Sequence, residues 1–174
     1  LGFRMPRVTR STMRGAAHRA ADMIYETLTG IQGVFGTRVA YVTAKRQGDG
    51  QLYSLVVADH DGFNQHTIME SKDPIMSPAW SPDSRQLAYV SFEGDKSSIW
   101  VQTLRTGNRF RVSSRPGING APSFTPDGRK LGVTHGGVDG NPDIDDKDIE
   151  SRKANRLTTQ RAMGREGWRS PDGE

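Results

Sequence analysis

No cysteine occurs in the chain, which removes disulfides, thiolate nucleophiles and cysteine-ligated metals and leaves the redox compartment undecided. Aromatic residues are scarce, 7% of 174, and apolar residues of all kinds reach 33%. So little apolar matter builds a modest core, enough for one ordinary domain or one and a half. No apolar run approaches the roughly 20 residues of a membrane-spanning helix, and no segment reads as a signal peptide. Because the chain begins at Leu1 rather than at Met, an upstream part carrying any targeting information is expected.

The net charge of +4 is uneven. Residues 1–38 hold Arg4, Arg7, Arg10, Arg14, Arg19 and Arg38 against Asp22 and Glu26, so the remainder is neutral. Basic segments attract anionic partners, but no aromatic side chains interleave with these arginines as they do in nucleic-acid readers. A solvated face explains them, and no nucleic-acid partner is expected.

Glycine and proline are what the chain has in quantity, 20 and 9 residues spread along it, which suits short strands joined by tight turns. One helix stands out, over residues 11–30, where Met13, Ala17, Ala20, Ile24 and Leu28 recur every three or four positions as one apolar stripe. Ser11 or Thr12 is placed to cap its start and Gly30 to end it. After the connector at 31–36 the period changes to that of strands: TRVAYVTA, QLYSLVVAD and QHTIMES read as a three-stranded meander separated by polar, Gly-rich turns.

From there the chain repeats itself. PAWSPDS at 78–84 returns as PSFTPDG at 122–128 and, scrambled, as GWRSPDG at 167–173, with Asp83, Asp127 and Asp172 spaced by 44 and 45 residues. Each unit carries an aromatic, Ser/Thr-Pro-Asp, a turn and three further strand-like runs, which is the size of one four-stranded propeller blade. The reason for Ser-Pro-Asp is structural: proline presets its backbone angle, aspartate accepts from nearby N–H groups, and serine or glycine closes the turn. Trp80 and Phe124 are expected to fill space between blades, and Leu87, Tyr89 and Leu131 to face into them. None of these residues is expected to do chemistry.

The later units depart from the pattern. SIWVQTL in the first becomes DIDDKDI in the second, so Asp145, Asp146 and Lys147 stand where apolar residues are expected. A carboxylate buried there without a partner costs several kcal/mol. In the third motif Trp168 and Arg169 are in swapped order, which turns the ring to the wrong face.

The runs AHRAADMIYETLTGIQGVFGTRVAYVT and YSLVVADHDGFNQHTIMESKDPIMSPAWSPDSRQLAYVSFE resemble the TolB family, periplasmic proteins of the Tol-Pal system of Gram-negative bacteria, and the likeness extends to about Leu131. It implies a mainly β fold, a partial, open six-bladed β-propeller of TolB/WD-like repeats preceded by one helix from an N-terminal α/β domain. Residues 1–30 would then be the last helix of that domain and 31–36 a linker. Residues 37–174 would be propeller: three strands at 37–71, repeats at 78–121 and 122–165, and the start of a third at 166–174.

The same resemblance implies a non-enzymatic scaffold that binds the lipoprotein Pal and supports outer-membrane integrity and cell division. The Pal face would include Met76, Ser77, Asn119, Gly120, Ala121 and Glu166, with Ile118 where some members carry histidine. The segment that engages TolA in the family would lie upstream of Leu1. An open propeller exposes edges and lacks neighbours for its core, so marginal stability is expected.

Two other chemistries match parts of the sequence. Asp139, Asn141, Asp143, Asp145 and Glu150 occupy positions 1, 3, 5, 7 and 12 of a would-be calcium loop, but Ile144 stands where the sharp turn needs glycine. His18, His60, His66 and His135 fall on unrelated elements with no pair at ligand spacing, so no metal or other cofactor is expected. The enzymatic alternative is a propeller associated with a prolyl oligopeptidase-like serine peptidase, and no hydrolase domain with its Gly-x-Ser-x-Gly elbow is encoded here.

Overall fold

A computed structural model describes residues 8–136 and 142–158. Its elements are α1 (Met13–Thr29), β1 (Arg38–Gln47), β2 (Gly50–Asp59), β3 (His66–Ser71), β4 (Ile75–Trp80), β5 (Gln86–Ser91), β6 (Ser98–Thr103), β7 (Arg109–Ser113), β8 (Asn119–Phe124), β9 (Lys130–Gly136), β10 (Pro142–Asp148) and β11 (Ala154–Arg156). The strands form three sheets, ordered β1-β2-β3, β4-β5-β6-β7 and β8-β9-β10-β11. Among the described residues none closes on itself, so they form a mainly β, partial propeller with one helix. Two compact units divide the chain, Leu1–Val39 with Val57–His66 and Ala40–Val56 with Thr67–Glu174.

In the first unit α1 ends as expected: Gly30 turns left-handed at φ 71° and returns its N–H to the Glu26 carbonyl. Its start differs, because the Thr12 side chain caps nothing in the helix and instead accepts from the Thr9 N–H at 3.0 Å. The apolar stripe is also not the packed face. Met13, Ile24 and Leu28 are exposed, Leu28 by 78%, while Ala16 is buried and Arg14, His18 and Asp22 are half-buried. Polar anchoring explains this. The Asp22 carboxylate accepts the backbone N–H groups of Phe35 (2.7 Å) and Gly36 (2.8 Å), so the connector lies against the polar side of the helix. Any Cβ at Gly33 would come within 2.5 Å of Asp22 Cα, so only glycine lets the connector approach. The rings of Tyr25, Phe35, His60 and His18 then meet edge to face in succession. The histidines read as scattered are therefore partly gathered, with His18 and His60 centroids 4.9 Å apart.

In the second unit the two four-stranded sheets are built alike. In both, the first strand is bulged against the second, between Met76 and Ala79 and again between Gly120 and Ser123. A non-glycine residue sits left-handed in each bulge, Ser77 at φ 51° and Ala121 at φ 45°. The Ser/Thr-Pro-Asp turn is also duplicated. Ser81 Oγ donates to Asp83 at 2.6 Å and Thr125 Oγ1 to Asp127 at 2.5 Å. Those carboxylates accept the N–H groups of Arg85 and Arg129, both at 3.0 Å. The side-chain donors, together with these backbone N–H groups, hold both carboxyls below their usual range.

The core lies between these sheets: Ala88, Val90, Ile99, Val101 and Val112 from one, Phe124, Leu131 and Val133 from the other. On the opposite face of β5 and β6, Leu87 and Tyr89 are also fully buried, and Tyr89 donates to Gln102 at 3.0 Å. Both faces of the first repeat are thus covered, the condition a blade needs.

Strand β10 departs from what its composition predicts. Residues 142–148 are a strand paired along its length with β9, not a calcium-binding loop. Asp143, Asp145, Asp146 and Lys147 are all buried, yet the expected unpaired carboxylate does not arise. Arg115 reaches Asp145 at 2.6 Å, Arg156 reaches Asp143 at 2.5 Å, and Lys147 Nζ donates to the Val112 carbonyl and to Ser113. The polar strand is thus held by an ion pair within its own sheet, to Arg156 of β11, by another to Arg115 of the β7–β8 connection, and by hydrogen bonds from Lys147 to β7.

Candidate functional site

The ends of β4, β5, β6 and β8 meet at one edge of the second unit. Here Met76, Ser77, Asn119 and Gly120, four of the residues singled out from sequence, line one groove of about 360 Å³. Ala121 follows in the same strand, at the bulge. Glu166 lies outside the described residues, as do Trp168 and Arg169.

Left-handed Ser77 and Ala121 shift the register between the entries of β4 and β8 and the rest of each strand, while Met76 and Gly120 stay paired with Val90 and Thr134 beside the groove. Met76 (44% exposed) and Ile118 (58% exposed) supply the apolar lip, and Phe92 contributes to the wall. Asp95 and Lys96 add one charge of each sign, and no histidine lines the groove. Sequence reasoning missed the β5–β6 turn, Phe92 to Ser97. It followed the loops that enter each Pro-x-aromatic start, whereas antiparallel strands bring the far turn back to the same edge.

Asn119 is placed differently from its neighbours. It is 1% exposed, and its side chain is fully used. Its oxygen accepts from Ser113 Oγ (2.8 Å), the Arg115 N–H (3.1 Å) and His135 Nδ1 (3.2 Å). Its amide donates to the carbonyls of Ser97 (3.0 Å) and Arg115 (2.7 Å). Asn119 therefore holds the groove's floor in position, and its own N–H is likewise taken, by Ser97 Oγ at 2.9 Å.

Behind Asn119 lies a polar cluster. His135 Nδ1 is the donor to Asn119, so Nε2 is bare; it has no hydrogen-bond partner and stands 3.6 Å from the Asp145 carboxylate. Burial, and then the Arg115 charge, outweigh the pull of Asp145 and lower the imidazole to about 4. It is neutral at pH 7, and the approach to Asp145 is not an ion pair. Burial also lowers Lys147.

The family model described as TolB beta propeller domain matches residues 25–174. The Tol-Pal system protein TolB of Methylococcus capsulatus is 54% identical over 121 residues, 70% of this chain and 28% of that protein. That of Nitrosococcus oceani is 57% identical over 115 residues, 66% and 26% respectively. Among solved structures, TolB from Acinetobacter baumannii superposes with a TM-score of 0.85 at 42% identity, covering 96% of this chain and 42% of that one. The chain spans little more than a quarter of the length of those curated relatives.

Proposed function

The chain belongs to the TolB β-propeller family, and from that premise we propose that it is a binding module of a periplasmic Tol-Pal system, acting by contact rather than catalysis. Its partner is the lipoprotein Pal, seated on the groove at Met76, Ser77, Ile118 and Gly120. Through that contact it supports outer-membrane integrity and cell division, and in the intact protein it links to TolA.

One observation supports this reading above the others: stretches 44 residues apart in sequence converge on one concave edge. The groove has an exposed apolar lip beside one acid and one base, the make-up of a protein-docking surface rather than a reaction centre. Ala121 shapes it through its bulge, and Glu166 is kept as a Pal contact on the resemblance alone.

Calorimetric titration with purified Pal tests the proposal. Saturable binding is expected, weakened at least tenfold by Met76→Glu or Ile118→Glu and unchanged by Arg105→Glu in the β6–β7 turn. No binding, or affinity undiminished in both groove variants, refutes it.

A further inference from the structure

The first unit contains a cluster that the Pal groove does not use. His18 projects from α1, and His60 and Asp61 come from the turn after β2. One potential ligand atom from each lies within 4.8 Å of the others. Two imidazoles and one carboxylate are the donor set of a borderline ion, and oxygen-seeking Ca²⁺ and Mg²⁺ have little use for it. A tetrahedral ion with bonds of about 2.0–2.1 Å holds its ligands roughly 3.3 Å apart, so modest side-chain rotation closes the set and leaves one position for water.

Three further observations favour a ligand. His60 Nδ1 is buried and has no hydrogen-bond partner, so no structural hydrogen bond at that atom accounts for the ring's position. His18 Nε2 stands 3.5 Å from Asp61 Oδ2, near but not bonded. Asp61 is already oriented, as metal-binding carboxylates are by their outer contacts: Oδ1 accepts the Phe63 N–H at 3.1 Å and Oδ2 accepts from Arg14. The Arg14 guanidinium that bonds Oδ2 also lies 3.9 Å over the Phe63 ring, so an ion would share that carboxylate with it or take Oδ1.

We propose that His18, His60 and Asp61 form a binding site for a divalent transition ion of the Zn²⁺ class, which staples α1 to the β2–β3 turn. The site forms within one unit and does not depend on the Pal groove. Sequence spacing hides it, because the two histidines are 42 residues apart and carry no ligand motif between them.

Zn²⁺ titration of the untagged, metal-stripped full chain against a chromophoric chelator tests this. One equivalent is expected to bind, with Ca²⁺ at the same concentration failing to compete. His60→Ala and His18→Ala should each weaken binding at least tenfold, and His66→Ala should not. A variant that fails to fold leaves the unmodified chain to decide: added Zn²⁺ should shift the ring resonances of His18 and His60 while those of His66 and His135 stay in place. Absence of one-to-one binding, undiminished affinity in His60→Ala, or shifts confined to His66 or His135 overturns the proposal.

Discussion

Asn119 shows how much one side chain can hold. With it gone, the Arg115 N–H, His135 Nδ1 and the Ser97 carbonyl lose this buried partner together, and Ser113 Oγ keeps only Lys147 Nζ. Asn119→Ala is therefore expected to cost about 3 kcal/mol, read as a lowered urea midpoint, because buried polar groups left unmatched cost about 1–3 kcal/mol each and relax only in part. Its neighbour His135 makes stability depend on pH. The unfolded ring titrates near 6.5 and the folded one near 4, so between those values the unfolded chain binds more protons. Stability should be level above pH 6.5 and fall by up to about 3 kcal/mol as pH drops toward 4, since each tenfold difference in proton affinity between the two states is worth about 1.4 kcal/mol. The groups facing the ring are Asn119, Arg115, Asp143, Asp145 and Lys147, and the two aspartates only partly counter the effect. Urea midpoints measured from pH 7 to pH 4 should slope steeply in the native chain and much less in His135→Gln.

At the scale of elements, the strands and the Ser-Pro-Asp turns were legible in the sequence because their causes are local. Proline fixes its own backbone angle, while the aspartate and the hydroxyl accept N–H groups two and five residues away, so the letters carry the geometry. The inward face of α1 was not legible. Periodicity marked Met13, Ile24 and Leu28, but the Asp22 bonds to the connector fix another face, and those partners lie 13 and 14 residues downstream. The groove was half legible: its β4 and β8 entries were visible in the repeat, and its β5–β6 wall, which pairing brings back to the same edge, was not. The β10 ion pairs were not legible either, since Arg115 lies 30 residues from Asp145 in an unrelated loop. One turn also went astray in the second repeat. Gly107 ends the β6–β7 turn at φ 72°, and Arg152 takes the matching place after β10 at φ 60°, each donating its N–H to the carbonyl four residues back. A non-glycine residue pays roughly 1–2 kcal/mol there, so Arg152→Gly should stabilise the chain by about 1 kcal/mol, measured as a raised urea midpoint.

For the molecule as a whole, the sheets that the described residues form do not close on one another, and each repeat depends on its neighbours for burial. Strand β11 is three exposed residues long, a weak outer guard for the charged strand β10 that it covers. Sedimentation across a hundredfold range of concentration should show reversible self-association, and the thermal midpoint should shift with concentration. A single concentration-independent monomer transition would remove this expectation.

The left-handed residues bear on how such a chain can drift. Ser77 and Ala121, Ser84 and Gly128, and Gly107 and Arg152 share backbone signs while sharing almost no chemistry. What one repeat passes to the next is a series of torsions, and mutation is free wherever a side chain tolerates the torsion assigned to it. Repeats of this kind can therefore diverge in letters until their kinship is invisible to alignment. A blade would still be countable by its positive φ angles, and the positions where a β-branched residue can never be accepted would mark its boundaries.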